Sequence, residues 1–181
     1  MRKILDKIYD MGGYIAAFCI FAICAIVFVQ VMFNIIDKIS VRFTGKILGL
    51  AIPSYTEFAG FLLTGASFLA LAYTFKRAGH IRVTLILQIL PQRIQKICNI
   101  FTLILCFAIA AYASYNCILL TYESFSYNDL SAGLIAIPLW IPQMVMTLGL
   151  MVFALALLDD LICLLFLKQI PYSISHNAEE A

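Results

Sequence analysis

Long uncharged runs of apolar residues dominate the hydrophobic pattern of this chain. Three runs, over 11–36, 97–122 and 130–158, contain no Asp, Glu, Lys or Arg, and a fourth, over 47–75, contains one glutamate. A helix needs about 20 apolar residues to cross a hydrocarbon core of roughly 30 Å, so each run is long enough. The runs do not alternate apolar and polar residues as membrane strands do. The pattern predicts transmembrane helices over about 13–36, 54–75, 97–121 and 140–166.

Shorter amphipathic segments flank these runs. In MRKILDKIYD, charged residues share one helical face and apolar residues the other, which predicts a short helix on the membrane surface. The run VTLILQIL before Pro91 covers only about 12 Å as a helix, too little to span. A second interfacial helix is predicted over about 82–95, which either anchors in membrane lipid or leans on a neighbouring protein. The alternating loop DKISVRFTGK, residues 37–46, is predicted to be extended.

Basic residues lie mainly on one side of the predicted membrane. Nine of the 12 Lys and Arg residues precede the first span, separate the second from the third, or follow the fourth. The positive-inside rule therefore places both termini in the cytoplasm. The first run far exceeds the 7–15 apolar residues of a signal peptide, so it is predicted to be a retained span. The fold expected is an all-α integral membrane protein, with one four-span domain over 1–168 and a polar cytoplasmic tail over 169–181.

Composition and the placement of reactive residues exclude several classes of function. The chain is 64% hydrophobic with a net charge of +2, and no basic face recurs away from the membrane flanks, so no nucleic-acid partner is predicted. All six cysteines lie within predicted spans without a C-x-x-C pair, which is typical of small buried hydrophobes. Neither histidine lies in a span, and no metal-ligand spacing or catalytic motif occurs. We expect no enzymatic activity, no bound metal and no cofactor.

Glu57 is the acidic residue placed inside an apolar run. An intramembrane carboxylate is a candidate functional group by default. However, Ser54-Tyr55-Thr56-Glu57 has the form of an S-x-x-E capping box directly after Pro53, in which serine and glutamate would satisfy backbone amides at the helix start. Both interpretations stay open: capping or partner contact, and an ion or proton role.

Small and amide-bearing residues within the spans indicate helix contacts. Gly60, Thr64 and Ser67 form a stripe on the second span that would let another helix approach closely. Three carboxamides within spans are expected to form interhelical hydrogen bonds: Gln30 and Asn34 in the first span and Asn116 in the third.

The third loop enters the fourth span through Pro138 and Trp140. Tryptophan prefers the membrane interface, and proline is tolerated at the start of a helix. The loop carries Glu123 and Asp129 and no basic residue, so this rim is acidic. It is predicted to be either a solvated loop or part of a docking surface for an external partner.

Several of these motifs together resemble one transporter family. They are Glu57 opening the second span, His80-Ile81-Arg82-Val83 after it, Leu90-Pro91 beyond, and Pro138-Leu139-Trp140 before the fourth span. The chain resembles the small membrane subunit (DctQ type) of tripartite ATP-independent periplasmic (TRAP) transporters. It departs from the family pattern at Thr84, where an acidic residue is frequent, and near Met146–Thr147, where a proline is common.

The resemblance implies a scaffold role rather than catalysis. The small subunit would pair in the bacterial inner membrane with a large multi-span permease that holds the substrate and sodium sites. A periplasmic binding protein would deliver an organic acid for sodium-coupled symport. The alternative hypothesis is a self-contained, homo-oligomeric four-span carrier with Glu57 as its coupling carboxylate. One carboxylate without an intramembrane base makes a poor transport site.

Overall fold

Four long helices make up the computed structural model of the chain, which describes residues 2–45, 49–77 and 91–166. They are α1 (Arg2–Thr44), α2 (Tyr55–Lys76), α3 (Gln92–Tyr127) and α4 (Trp140–Phe166). The β-structure within these ranges is a single bridge between Leu130 and Pro138. All four helices are long and apolar enough to cross a membrane. The predicted all-helical protein with four membrane-spanning helices is confirmed.

The helices lie side by side in the order α1–α2–α4–α3. The main contacts join α1 to α2, α2 to α4, and α4 to α3. Glycines allow the closest approaches: Gly12 lies against the carbonyl of Leu69, and Gly149 lies against the backbone of Phe68. Small residues at such crossings let membrane helices approach closely enough for backbone contact. Two clusters of buried side chains fill the contacts, one of Tyr9, Ala72 and Ala156 and one of Leu103, Ala110 and Leu157.

Helix α1 is longer than the sequence predicts at both ends. The first residues do not form a separate surface helix, because α1 runs unbroken from Arg2, and Tyr9 is buried against α2 and α4. Of the apolar face expected to lie on lipid, Leu5 packs against the Tyr9 cluster, whereas Ile8 is exposed. The segment predicted to be extended is also helical as far as Thr44. Gly45 ends the helix in the left-handed region at φ 65°, and its amide donates to the carbonyl of Val41.

Helix α3 begins at Gln92, directly after Pro91, and continues to Tyr127. Residues 92–95, predicted as the end of an interfacial helix, are therefore part of the third membrane helix. Residues 82–90 of that predicted helix, which include Arg82, lie outside the described residues, and so does His80. So does the tail over 169–181. Asn128 ends α3 in the left-handed conformation at φ 52°.

The two ends of the bundle are chemically different. At one end, called here the Lys76 end, Tyr9 of α1, Lys76 of α2 and Asp160 of α4 lie together. At the other, the Trp140 end, the start of α2 meets the α3–α4 loop, residues 128–139. Each end holds a polar cluster whose geometry bears on function.

Candidate partner-binding site

The α3–α4 loop is bound to the start of α2 at the Trp140 end. The hydroxyl of Ser131 donates a hydrogen bond to Oε2 of Glu57 at 3.3 Å. The backbone amide of Ile135 donates to Oγ of Ser54 at 3.1 Å. Gly133 lies directly against the Glu57 carboxylate, so that a Cβ at this position would overlap it. Ser54 and Glu57 therefore hold a loop that is distant in sequence.

The predicted capping box does not form, and that interpretation of Ser54 and Glu57 was wrong. Ser54 has φ 57° and ψ 23°, and its side chain makes no capping hydrogen bond. A capping serine normally has an extended backbone that directs its oxygen toward the first helical amides. Here the backbone carbonyl of Ser54 accepts from the amide of Glu57 at 3.0 Å instead. The left-handed turn leaves both side chains free to contact the α3–α4 loop.

Replacing Gly133 by alanine is expected to release this loop. The new methyl group would displace the Glu57 carboxylate, the flexible partner in the contact, and with it the hydrogen bond from Ser131. The cost is about 0.5–1.5 kcal/mol, the usual contribution of one hydrogen bond. Limited proteolysis within 128–139 should become faster. Ala132→Ser, at the exposed neighbouring position, is the control, and equal cleavage rates in the two variants would show that the contact does not hold the loop.

Pro138 and Trp140 shape the same loop. Pro138 bridges to Leu130, and its carbonyl accepts a hydrogen bond from the amide of Ile141 at 3.3 Å. Trp140 is the first residue of α4 and packs edge-on against Phe125 of α3, with ring centroids 5.7 Å apart. Both residues therefore join the ends of α3 and α4.

The small-residue stripe on α2 is not used by the packing of this bundle. Gly60 and Ser67 are exposed, Thr64 is half-buried, and a Cβ on Gly60 would meet nothing within 4 Å. The hydroxyl of Thr64 donates to the carbonyl of Gly60 at 3.0 Å, within the same helix. A helix of another protein could therefore pack closely on this stripe, because no described helix of this chain packs there.

A buried ionic cluster occupies the Lys76 end. Nζ of Lys76 lies 2.8 Å from Oδ2 of Asp159 and 3.0 Å from Oδ1 of Asp160. The Asp160 side chain is only 1% exposed and that of Lys76 10%. The ammonium also lies 5.5 Å from the ring centroid of Tyr9, which adds a cation–π contact. The cluster joins α1, α2 and α4.

From the sequence, Lys76 is predicted to be a cytoplasmic anchor of the second span and Asp159–Asp160 are predicted to be interfacial. Their pairing with each other was not predicted. The pairing could have been predicted from the similar depth of these residues in the membrane, because the second and fourth spans end on the same predicted side. Opposite charges at one level of adjacent membrane helices are expected to pair.

Nothing in the described residues resembles a metal site, since no three His, Cys, Asp or Glu side chains there are close enough to share an ion. His80 and Arg82 lie outside the described residues, so these two predicted site residues are not placed. Glu57, Pro138 and Trp140 meet at the Trp140 end, while Gly60, Thr64 and Ser67 lie along α2.

A family comparison decides the identity of the chain. A sequence model described as tripartite ATP-independent periplasmic transporters, DctQ component, matches residues 23–167, well over half of the chain. The chain belongs to the DctQ family. The resemblance noted in the sequence is thereby confirmed. The DctQ family is a transporter component of the inner membrane, the small permease subunit of TRAP systems, and it is not an enzyme family. No curated protein and no solved structure matches the chain.

The DctQ match covers most of the polar features described above. It includes Glu57, the α2 stripe, the α3–α4 loop and the aspartates of the ionic cluster. Tyr9 and Asp10 precede it. Asp10 forms an exposed ion pair with Arg77 at 3.2 Å, beside the buried cluster.

Proposed function

We propose that this DctQ protein is the scaffold subunit of a sodium-coupled TRAP transporter that imports an organic acid. The observation that carries the proposal is the position of Glu57. Its carboxylate lies at the start of α2, against Gly133 and within hydrogen-bond distance of Ser131. A coupling carboxylate is expected deeper in the membrane, facing a cavity or a partner. Sodium and substrate sites are therefore assigned to the large permease, with the acid delivered by a periplasmic binding protein.

The orientation follows from the distribution of charge. The Lys76 end is the cytoplasmic end, with both termini, because most Lys and Arg residues flank the spans there. The α3–α4 loop then faces the periplasm with its acidic residues. The segment over 82–90 is proposed to lie in the membrane interface and to brace the permease from the cytoplasmic surface. His80 lies just before this segment, and Arg82 lies within it.

The α2 stripe is the proposed contact for one helix of the permease. Membrane helices associate through close packing because lipid provides no hydrophobic driving force between them. Gly60, Thr64 and Ser67 supply a shallow surface suited to such packing, and no described helix of this chain covers it. A permease helix packed on the stripe would bury part of the surface that the four helices leave exposed.

Purification of tagged chain from native membranes in mild detergent tests the proposal. A stoichiometric, larger multi-span protein should be found with it by mass spectrometry. Gly60→Leu should weaken that association by roughly 5- to 150-fold, since overpacking a close contact costs about 1–3 kcal/mol. Gly60→Ala is the matched, milder change. Recovery of the chain alone, or only with itself, would refute the scaffold function.

The alternative, a self-contained carrier, has a separate test. If Glu57 couples transport, Glu57→Gln should abolish uptake while leaving every complex intact. The scaffold function instead predicts that this variant retains uptake in proportion to the amount of assembled complex. Transport assays in proteoliposomes, normalised to co-purified permease, distinguish the two results.

A further inference from the structure

Helix α3 forms one edge of the row and packs on α4 with a single stripe of residues. Leu103 and Ala110 are buried there, and the hydroxyl of Ser114 is buried against its own helix. Further along, Thr121 and Thr147 share a hydrogen bond of 3.1 Å between the two helices. The rest of the helix surface is not covered by the described residues.

The opposite side of α3 carries Tyr112 and Asn116. Tyr112 follows Leu103 by nine residues, which places it about 180° around the helix from the packed stripe, and Asn116 follows one turn later. Tyr112 is 72% exposed, and Asn116 is also exposed. The Asn116 amide donates to the carbonyl of Tyr112 at 2.8 Å. A carboxamide has a second N–H and an acceptor oxygen, and within the described residues neither has a partner.

Asn116 lies deep in the predicted membrane. Phe125 packs against Trp140, whose indole marks the interface at this end. Asn116 precedes Phe125 by nine residues, or about 13 Å along the helix axis. That distance approaches the middle of a hydrocarbon core about 30 Å thick. Lipid tails cannot satisfy the free amide groups there, so this face is poorly suited to lipid.

The other edge of the row, α1, carries no carboxamide at that depth. The exposed large residues in the first half of this helix include Met11, Tyr14 and Phe18. Its carboxamides, Gln30 and Asn34, lie toward the Trp140 end. Gln30 is buried and accepts a hydrogen bond from the amide of Ile52 at 2.9 Å, and it contacts Asn34 at 3.5 Å. At the depth of Asn116, the α1 edge can face lipid without leaving a carboxamide unsatisfied.

We propose that the outer face of α3, centred on Tyr112 and Asn116, binds a transmembrane helix of the large permease, which exchanges hydrogen bonds with the Asn116 carboxamide. This inference rests on the proposed function and names a second contact besides the α2 stripe. A second copy of this chain fits the face less well. Around Asn116 the face carries Ile109, Tyr112 and Leu119, whereas identical helices at a twofold axis approach through small residues.

Site-specific photocrosslinking in native membranes tests the assignment. A benzoylphenylalanine at position 112 should crosslink to the permease. The same probe at position 14, an exposed tyrosine on the opposite edge of the row, should not. A permease that co-purifies but crosslinks from position 14 and not from 112 would overturn the inference and leave the scaffold function intact. A crosslinked dimer of this chain from position 112 would also overturn it. Absence of any co-purifying permease would refute both.

A quantitative test uses Asn116→Leu in the full complex. Loss of the interhelical hydrogen bonds should weaken association with the permease by roughly 3- to 20-fold, the range of measured bonds of this kind. The isolated chain should fold as before, because Asn116 is exposed in it. Asn116→Gln, which keeps the carboxamide, should recover part of the association. Equal association of wild type and Asn116→Leu would show that the carboxamide does not face the partner.

Discussion

Replacing Lys76 by methionine is expected to destabilise the isolated bundle by about 3–5 kcal/mol, the cost of removing one partner from a buried ion pair. The substitution takes a cation away from Asp160, whose side chain is 1% exposed, and from Asp159, whose side chain is 22% exposed. It also removes the cation–π contact with Tyr9. The midpoint of thermal unfolding in detergent, followed by circular dichroism, should fall sharply, and less protein should accumulate in membranes.

Two further variants separate the buried pair from a general effect of charge. Lys96→Met removes one positive charge from an exposed position on α3 and should change stability by less than about 1 kcal/mol. Lys76→Met combined with Asp160→Asn should recover much of the loss, because contacting partners are not additive. If Lys76→Met proved as stable as Lys96→Met, the ionic cluster would not hold α2 and α4 together.

The second large effect is expected at Gly149, where α4 crosses α2. An alanine Cβ there would lie 2.6 Å from backbone atoms of Phe68, and backbone cannot move aside as the end of a side chain can. The helices must separate, and we expect Gly149→Ala to cost about 1–3 kcal/mol, in the range of overpacked cores. Thermal unfolding in detergent measures it. Disulfide trapping between cysteines introduced on α2 and α4 would show the wider spacing.

Gly60→Ala is the matched control for this change. It makes the same substitution on α2, but the new methyl group meets nothing within 4 Å. The isolated chain should unfold at the same temperature or slightly higher, since alanine favours the helix by about 1 kcal/mol. If Gly149→Ala proved as stable as Gly60→Ala, the crossing with Phe68 would not constrain position 149, and helix propensity alone would determine the effect of both substitutions.

The number and positions of the four membrane spans could be predicted from the sequence, because they depend on the long uncharged apolar runs. The fourth helix occupies Trp140–Phe166, where the sequence places a span over about 140–166. Predictions from local sequence patterns failed where a residue distant in sequence made the contact that determines the structure. The first residues look like a surface helix until Tyr9 is seen buried against Ala72 and Ala156. Ser54 and Glu57 fit a capping box in sequence, yet the left-handed backbone of Ser54 directs both toward the α3–α4 loop.

The sequence by itself determined that this DctQ protein is helical, crosses the membrane four times and belongs to a transporter family. Those conclusions depend on run length, charge distribution and short motifs, which are properties of the chain alone. Only the tertiary structure decided which polar groups are satisfied within the chain. Lys76 and Asp160 are separated in sequence by all of α3 and most of α4, and their pairing follows from the packing of α2 on α4. The same packing leaves Gly60 and Asn116 exposed. Gly60 faces away from the helices that pack on α2, and Asn116 faces away from α4, which packs on α3.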